Sequence, residues 1–149
     1  MPDLSWITET LAIGGSFAPA ELHLLVADAI AAVVDLRDET RDDPELLARH
    51  GIAFLHLPTA DFAPIGAAEL TRGLAFVAGH LGAGRRVLVH CAKGIGRSAL
   101  LGLCVLVEHG LAPLEALELA KQRRACVSPS PAQYEAWASW LAAHREARP

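Results

Sequence analysis

Val87-Leu88-Val89-His90-Cys91-Ala92-Lys93-Gly94-Ile95-Gly96-Arg97-Ser98 is the stretch from which the organisation of the chain can be read. Its first three residues are apolar, two of them β-branched, and mark the end of a buried strand. A turn holding two glycines follows. Arg97-Ser98-Ala99-Leu100-Leu101 then opens an apolar run of helical length. The stretch is therefore a strand, a loop and a helix N-terminus, with a cysteine at the mouth of the loop and an arginine at its end.

That arrangement suits phosphate. The first N–H groups of a helix lack intrahelical acceptors, and the helix dipole adds positive potential there. A glycine-containing loop before such a helix can turn its own N–H groups inward around an anion. Gly94 and Gly96 supply backbone freedom, and the planar fork of Arg97 can bond two phosphoryl oxygens at once. Cys91 sits in the same positive field, which lowers a thiol pKa from ~8.5 toward roughly 3.5–7.5 and leaves a nucleophile already charged at neutral pH.

His90-Cys91, five intervening residues and Arg97-Ser98 resemble the H-C-x-x-G-x-x-R-[ST] signature of the cysteine-dependent protein tyrosine phosphatases. The length and flanking segments are similar to the compact dual-specificity branch. The family often carries alanine two places after the cysteine, where this chain has Lys93. The resemblance implies a metal-free, cofactor-free phosphomonoesterase. In it Cys91 is the nucleophile, the backbone of Ala92, Lys93, Gly94, Ile95 and Gly96 binds the phosphoryl group with Arg97, Ser98 assists departure of the sulfur, and His90 braces the loop. Two plainer readings compete. A cysteine behind an apolar strand is commonly just a small hydrophobe. A nucleotide P-loop would need glycine at position 91 and lysine at position 97.

Outward from this stretch, strands alternate with helices. Leu4 to Ile13 reads as one or two short strands stopped by Gly14-Gly15, and Ala18 to Ala29 as a helix. Ala31 to Leu36 reads as a central parallel strand. Arg37 to Asp43 is highly charged and is expected to be a solvated loop. Pro44 to His50 forms a short helix, Ile52 to Leu57 a strand ended by Pro58, and Ala67 to Leu81 a helix with Leu70, Leu74, Val77 and Leu81 on one face. Arg97 to His109 is apolar on most sides and therefore buried. Pro113 to Arg124 is the next helix. Ser130-Pro131-Ala132-Gln133 has the pattern of a capping box opening a last helix that runs to about Ala143. The expected fold is α/β: a central, mostly parallel sheet of four to five strands flanked by helices, as in dual-specificity phosphatases, in one domain over residues 1–149.

Composition narrows the function. A formal charge of −4 gives no case for a nucleic-acid-binding surface. Three cysteines, an odd number, do not suggest a disulfide framework. The apolar run from Ala99 to Val107 is too short to span a bilayer, so no stable membrane insertion is expected. A reduced Cys91 and the lack of a signal-like N-terminus imply a cytoplasmic location. The histidines are scattered, and no metal cluster stands out.

A thiolate cannot expel a poor alkoxide or phenoxide unless the leaving oxygen receives a proton. Asp61 lies 30 residues before Cys91 on a loop leaving a strand, at the sheet edge where such loops gather. It is the candidate general acid, and the resemblance places the acid of compact relatives on such a loop. Asp38, Glu39, Asp42 and Asp43 compete. Asp35 and Arg37 read as a structural ion pair, and the capping role of Gln133 accounts for that residue. Cys104 is expected to be inert, and Cys126 could form a disulfide with oxidised Cys91. The first substrate reading is a phosphorylated protein, at tyrosine and also serine or threonine. The second, carried by Lys93, is a phosphoinositide or inositol phosphate. A catalytically dead phospho-binding module and a rhodanese-type sulfurtransferase are the alternatives outside phosphatase chemistry.

Overall fold

The computed structural model describes residues 2–147. Residues 1, 148 and 149, which the sequence assigns to the same domain, lie outside the described residues. The chain runs β1 (Leu4–Trp6), β2 (Leu11–Gly14), α1 (Leu22–Ala27), β3 (Ile30–Arg37), α2 (Pro44–Arg49), β4 (Ala53–Thr59), α3 (Ala67–Gly82), β5 (Arg86–His90), α4 (Arg97–Glu108), α5 (Pro113–Arg123) and α6 (Pro131–Ala147). The sheet has the order β1-β2-β5-β3-β4. Only β1 is antiparallel to its neighbour; β2, β5, β3 and β4 are parallel.

Side-chain alternation divides the core into two layers, because successive residues of a strand face opposite sides. Leu11, Ile13, Val34, Leu36, Val87 and Val89 point toward the face covered by α3 to α6. Ala12, Val33 and Leu88 pack with Leu22, Leu25 and Leu47 on the face covered by α1 and α2. From Arg97 to Val107 every residue of α4 is buried, so this helix is the inner member of its layer. Gly73 lets α3 come close to β4 and α4: a Cβ there would lie 2.7 Å from Leu57 Cδ1 and 3.4 Å from Leu101 Cδ1.

Several expectations are corrected. The strand read as ending before Pro58 continues through it to Thr59. β4 is an edge strand, and Pro58 is exposed there, so its missing N–H removes no ladder bond that the sheet needs. The helix read over Ala18 to Ala29 begins as a 3₁₀ turn at Pro19–Glu21 and ends at Ala27, with Ala29 in the left-handed region at φ 60°. The last helix extends beyond Ala143 to Ala147. The largest correction concerns residues 37–43. They are not a uniformly solvated loop: Arg37 and Asp42 are each 9% exposed, and Asp43 caps α2 by accepting the N–H groups of Glu45 and Leu46.

Candidate active site

β5 delivers Cys91 to the carboxyl edge of the sheet, and the loop after it turns back into α4. Gly94 has φ 66°, and a Cβ there would lie 2.5 Å from the carbonyl carbon of Gly14, so both conformation and space demand glycine. At Gly96, where φ is −120°, a larger residue would have to displace the end of the Gln133 side chain, since a Cβ would sit 2.6 Å from Gln133 Oε1. The start of the loop is moored to β2, with Cys91 N–H donating to Gly14 O and Ser16 N–H to Ala92 O. Its far side is moored by Arg124, a buried side chain. Arg124 donates from Nε to Gly94 O at 2.9 Å and from Nη2 to Lys93 O at 2.9 Å, while Asp3 pairs with Nη1 and Nη2 at 3.0 and 2.9 Å. With these carbonyls held outward, the loop N–H groups are left for the inner side, and that of Gly94 donates to Cys91 Sγ at 3.3 Å.

Cys91 is buried, and Ser98 Oγ lies 3.3 Å from its sulfur. Burial pushes the thiol pKa up. The hydrogen bonds from Ser98 and the Gly94 N–H, together with the charge of Arg97, outweigh burial and bring the pKa below the ordinary thiol value. Cys104, inside α4, has only burial and Glu108 acting on it, and both push its pKa up.

Arg97 is 1% exposed. Its Nη1 donates to Glu39 Oε1 at 2.7 Å and to Thr59 O at 2.8 Å, and Nη2 donates to Glu39 Oε2 at 3.0 Å. This two-point pair holds the Glu39 carboxyl at about 2. The guanidinium Nε is buried without a hydrogen-bond partner, and Asp61 Oδ1 stands 3.7 Å from it. An unpartnered buried donor on a fixed guanidinium is a site prepared for an oxyanion.

Beneath the loop, His90 Nε2 contacts Asp42 Oδ2 at 2.6 Å, and its Nδ1 lies 3.3 Å from Cys91 O. Asp42 and Asp35 share Arg37 Nη2, at 3.1 and 2.9 Å. Burial raises the Asp35 pKa, but the Arg37 hydrogen bond and the nearby His90 overcome this and leave it lowered. Asp35, Asp42 and His90 are close enough to hold a metal ion. The arrangement does not fit one, because Arg37 already bonds both carboxylates and serves as their cation.

Asp61, Phe62, Cys91, Ala92, Lys93, Ile95, Gly96, Arg97, Ser128 and Gln133 line one cavity of about 210 Å³. The structure thus brings Asp61, Cys91, Lys93 and Arg97 together across 36 residues of sequence, counting from 61 to 97. Ser98 and His90 sit behind this surface, and Gly94 faces Gly14 and Arg124. Among the competing acids, Glu39 reaches Arg97 and Asp42 reaches His90, while Asp43 is used in a helix cap. Sequence reasoning missed Arg124 as a member of the site, and it weighed Glu39 and Asp42 only as competing acids, not as partners of Arg97 and His90. It also gave Gln133 too small a part: the capping box is present, yet Gln133 lines the cavity and donates from Nε2 to Ala63 O at 3.1 Å.

This geometry defines a class, a strand-loop-helix site built around cysteine and arginine. Comparison with known proteins gives its family. Residues 13–111 match the family described as polymorphic toxin system, DSP-PTPase phosphatase. The chain belongs to that family, within the compact dual-specificity branch of the cysteine-dependent protein tyrosine phosphatases. Dual specificity protein phosphatase 18 of Rattus norvegicus is 31% identical over 137 residues, covering 89% of this chain and 64% of that protein. The chain spans 64% of the length of that relative, 18% of dual specificity protein phosphatase 2 of Mus musculus and 13% of dual specificity protein phosphatase 1 of Homo sapiens. Among solved structures, Tk-PTP in the active form has a TM-score of 0.84 at 28% identity, covering 99% of this chain and 99% of that one. PTPMT1, crystallised in complex with PI(5)P, shares the fold with a TM-score of 0.83 at 24% identity, covering 95% and 97%. Among the described residues, no helix is long and apolar enough to cross a membrane.

Proposed function

We propose that the chain is a phosphomonoesterase of phosphorylated protein side chains, working through a phosphocysteine at Cys91 and requiring no metal. The observation that carries this reading is a thiol with a lowered pKa in the same cavity as Asp61 and a guanidinium whose buried Nε has no partner. Cys91 attacks phosphorus while Asp61 gives its proton to the leaving oxygen. Asp61, now a base, then takes a proton from the water that cleaves the P–S bond. Arg97 and the loop N–H groups hold the equatorial oxygens through both transition states. Ser98 donates to the departing sulfur, and His90 keeps the Cys91 carbonyl in place. Phe62, 72% exposed at the cavity wall, and Ile95 provide apolar surface for an aryl leaving group, which favours phosphotyrosine within a cleft that also admits phosphoserine and phosphothreonine. We place the protein in the cytoplasm, where Cys91 stays reduced.

A second substrate reading has its own support. Lys93 is exposed on the cavity wall, and the structural neighbour PTPMT1 was crystallised with a phosphoinositide. The test is hydrolysis of an aryl phosphate in EDTA by the wild type, Cys91→Ser and Asp61→Asn, followed by panels of phosphopeptides and phosphoinositides. The expected result is turnover by the wild type, none above background for Cys91→Ser, and a loss of about 10²–10⁴-fold for Asp61→Asn. Activity surviving in Cys91→Ser refutes the mechanism, and faster turnover of phosphoinositides than of phosphopeptides moves the substrate to lipid.

A further inference from the structure

We propose that the N-terminal cap of α6 is a strap on the loop bearing Asp61, with Ser130 and Gln133 as positioning residues for that acid. The inference rests on the reading of Asp61 as proton donor. It starts from the residue after it. Phe62 has φ 65°, a conformation that side chains with a Cβ seldom adopt. Its ring is largely exposed, so side-chain packing does not hold it there. Its turn is closed locally by Ala63 N–H donating to Ala60 O and Phe62 N–H donating to Asp61 Oδ1, both at 3.0 Å, and is tied to α6 by a pair of hydrogen bonds on the Phe62 carbonyl and the next. Ser130 Oγ–H donates to Phe62 O at 2.6 Å, and Gln133 Nε2 donates to Ala63 O at 3.1 Å.

Both side chains also cap the helix. Ser130 Oγ accepts the Gln133 N–H at 3.2 Å, and Gln133 Oε1 accepts the Ser130 N–H at 2.8 Å. A hydroxyl can accept and donate at once, and an amide has separate atoms for the two tasks. Capping therefore uses only the acceptor side of each group and leaves the donor side for the acid loop. Gln133 is 1% exposed and rests against Gly96, where a Cβ would meet its Oε1 at 2.6 Å. One rigid helix terminus thus touches the acid loop on one side and the phosphate loop on the other. Nucleophile and acid are registered to each other through it.

A cap that only started the helix would affect all substrates alike. A strap affects only the step in which Asp61 protonates a basic leaving oxygen. The variants are Ser130→Gly, since glycine costs an N-cap little, and Ser130→Thr, which restores a hydroxyl. The readout is kcat/KM for phenyl phosphate and for an aryl phosphate with a strongly electron-withdrawing ring, whose phenolate departs unprotonated. For Ser130→Gly the expected loss is about 10-fold on phenyl phosphate, a fraction of what a general acid supplies, and less than about 2-fold on the activated ester. Ser130→Thr should recover the phenyl phosphate rate. Equal losses on both esters, or none on either, overturn the strap.

Amide exchange provides a readout that does not depend on turnover. Ser130→Gly should speed exchange at Phe62 and Ala63 at least about 10-fold while leaving the middle of α6 unchanged. Acceleration spread equally over α6, or absent from Phe62 and Ala63, overturns the proposal. If the wild type hydrolyses neither ester, the proposed function fails and the strap is judged on exchange alone.

Discussion

Arg124→Met removes the mooring on the far side of the phosphate loop while keeping an unbranched stem of similar length. Arg124 is 4% exposed as a side chain, and its bonds run to the loop carbonyls on one side and to Asp3 and Ser5 Oγ on the other. Those to Gly94 O and Lys93 O, both 2.9 Å, join a cation to loop carbonyls. Each such bond contributes about 1.5–3 kcal/mol, so their loss costs roughly 3–6 kcal/mol. The bonds to Asp3 count for less, because Asp3 is 62% exposed and exposed ion pairs contribute about 0–1 kcal/mol. In a chain of this length each kcal/mol moves Tm by about 2–4 °C, so Arg124→Met should melt on the order of 10 °C lower and Asp3→Asn at most about 4 °C lower. Differential scanning calorimetry measures both. At a temperature where Arg124→Met is fully folded, its kcat/KM should still be at least about 10-fold reduced, since freed carbonyls can rotate into the anion site. A melting point within about 2 °C of wild type, or an equal loss from Asp3→Asn, refutes the assignment of the energy to the loop carbonyls.

Glu39→Gln leaves Arg97 with Thr59 O but without its two-point carboxylate, and kcat/KM should drop about 10-fold. The Glu39 carboxyl is lowered in the folded chain to about 2, so its contribution to stability is complete above the ordinary carboxyl value of 4.5 and is lost as pH falls through about 2. The ratio of wild-type to Glu39→Gln activity should therefore stay constant from pH 8 to about 5; a ratio that falls to unity over that span contradicts the pairing. Ser98→Ala removes a hydrogen bond that stabilises the thiolate, so the pH midpoint for alkylation of Cys91 by iodoacetamide should move upward, and an unmoved midpoint argues against the contact at 3.3 Å. Leu101→Ala, at a fully buried position in α4, should cost about 2–5 kcal/mol, read as a lower urea midpoint at constant slope.

What could be read in the sequence was local. His90 to Ser98 is contiguous, so its spacing carries the geometry of strand, loop and helix N-terminus. The cap at Ser130 is equally local, and its hydrogen bonds have the pattern that the four residues imply. Glu39 meets Arg97 across 58 residues, Asp42 meets His90 across 48, and Arg124 meets Gly94 across 30; no periodicity encodes such pairings. The run from Arg37 to Asp43 misleads because charge density reports average exposure, whereas Arg37 and Asp42 are buried at the sheet edge and the other five residues are exposed. A signal was present at Asp35. A carboxylate within an apolar strand must find a buried partner, and the first cations after it in sequence are Arg37 and Arg41. Pro58 misled for a related reason: proline ends a central strand but not an edge strand, and strand order is a property of the whole sheet.

The bond between Arg124 and Asp3 spans 121 residues, the longest separation among the side-chain contacts of the site. Closing so long a loop is entropically unfavourable until most of the sheet exists to hold its ends together. That contact is therefore among the last to form as the chain folds, whereas the brace on Lys93 and Gly94 closes only 31 and 30 residues. Until the Asp3 contact forms, Arg124 holds the loop carbonyls without the carboxylate that fixes its guanidinium. The loop after β5 therefore takes its final rigidity from a contact between the residue before β1 and the residue after α5.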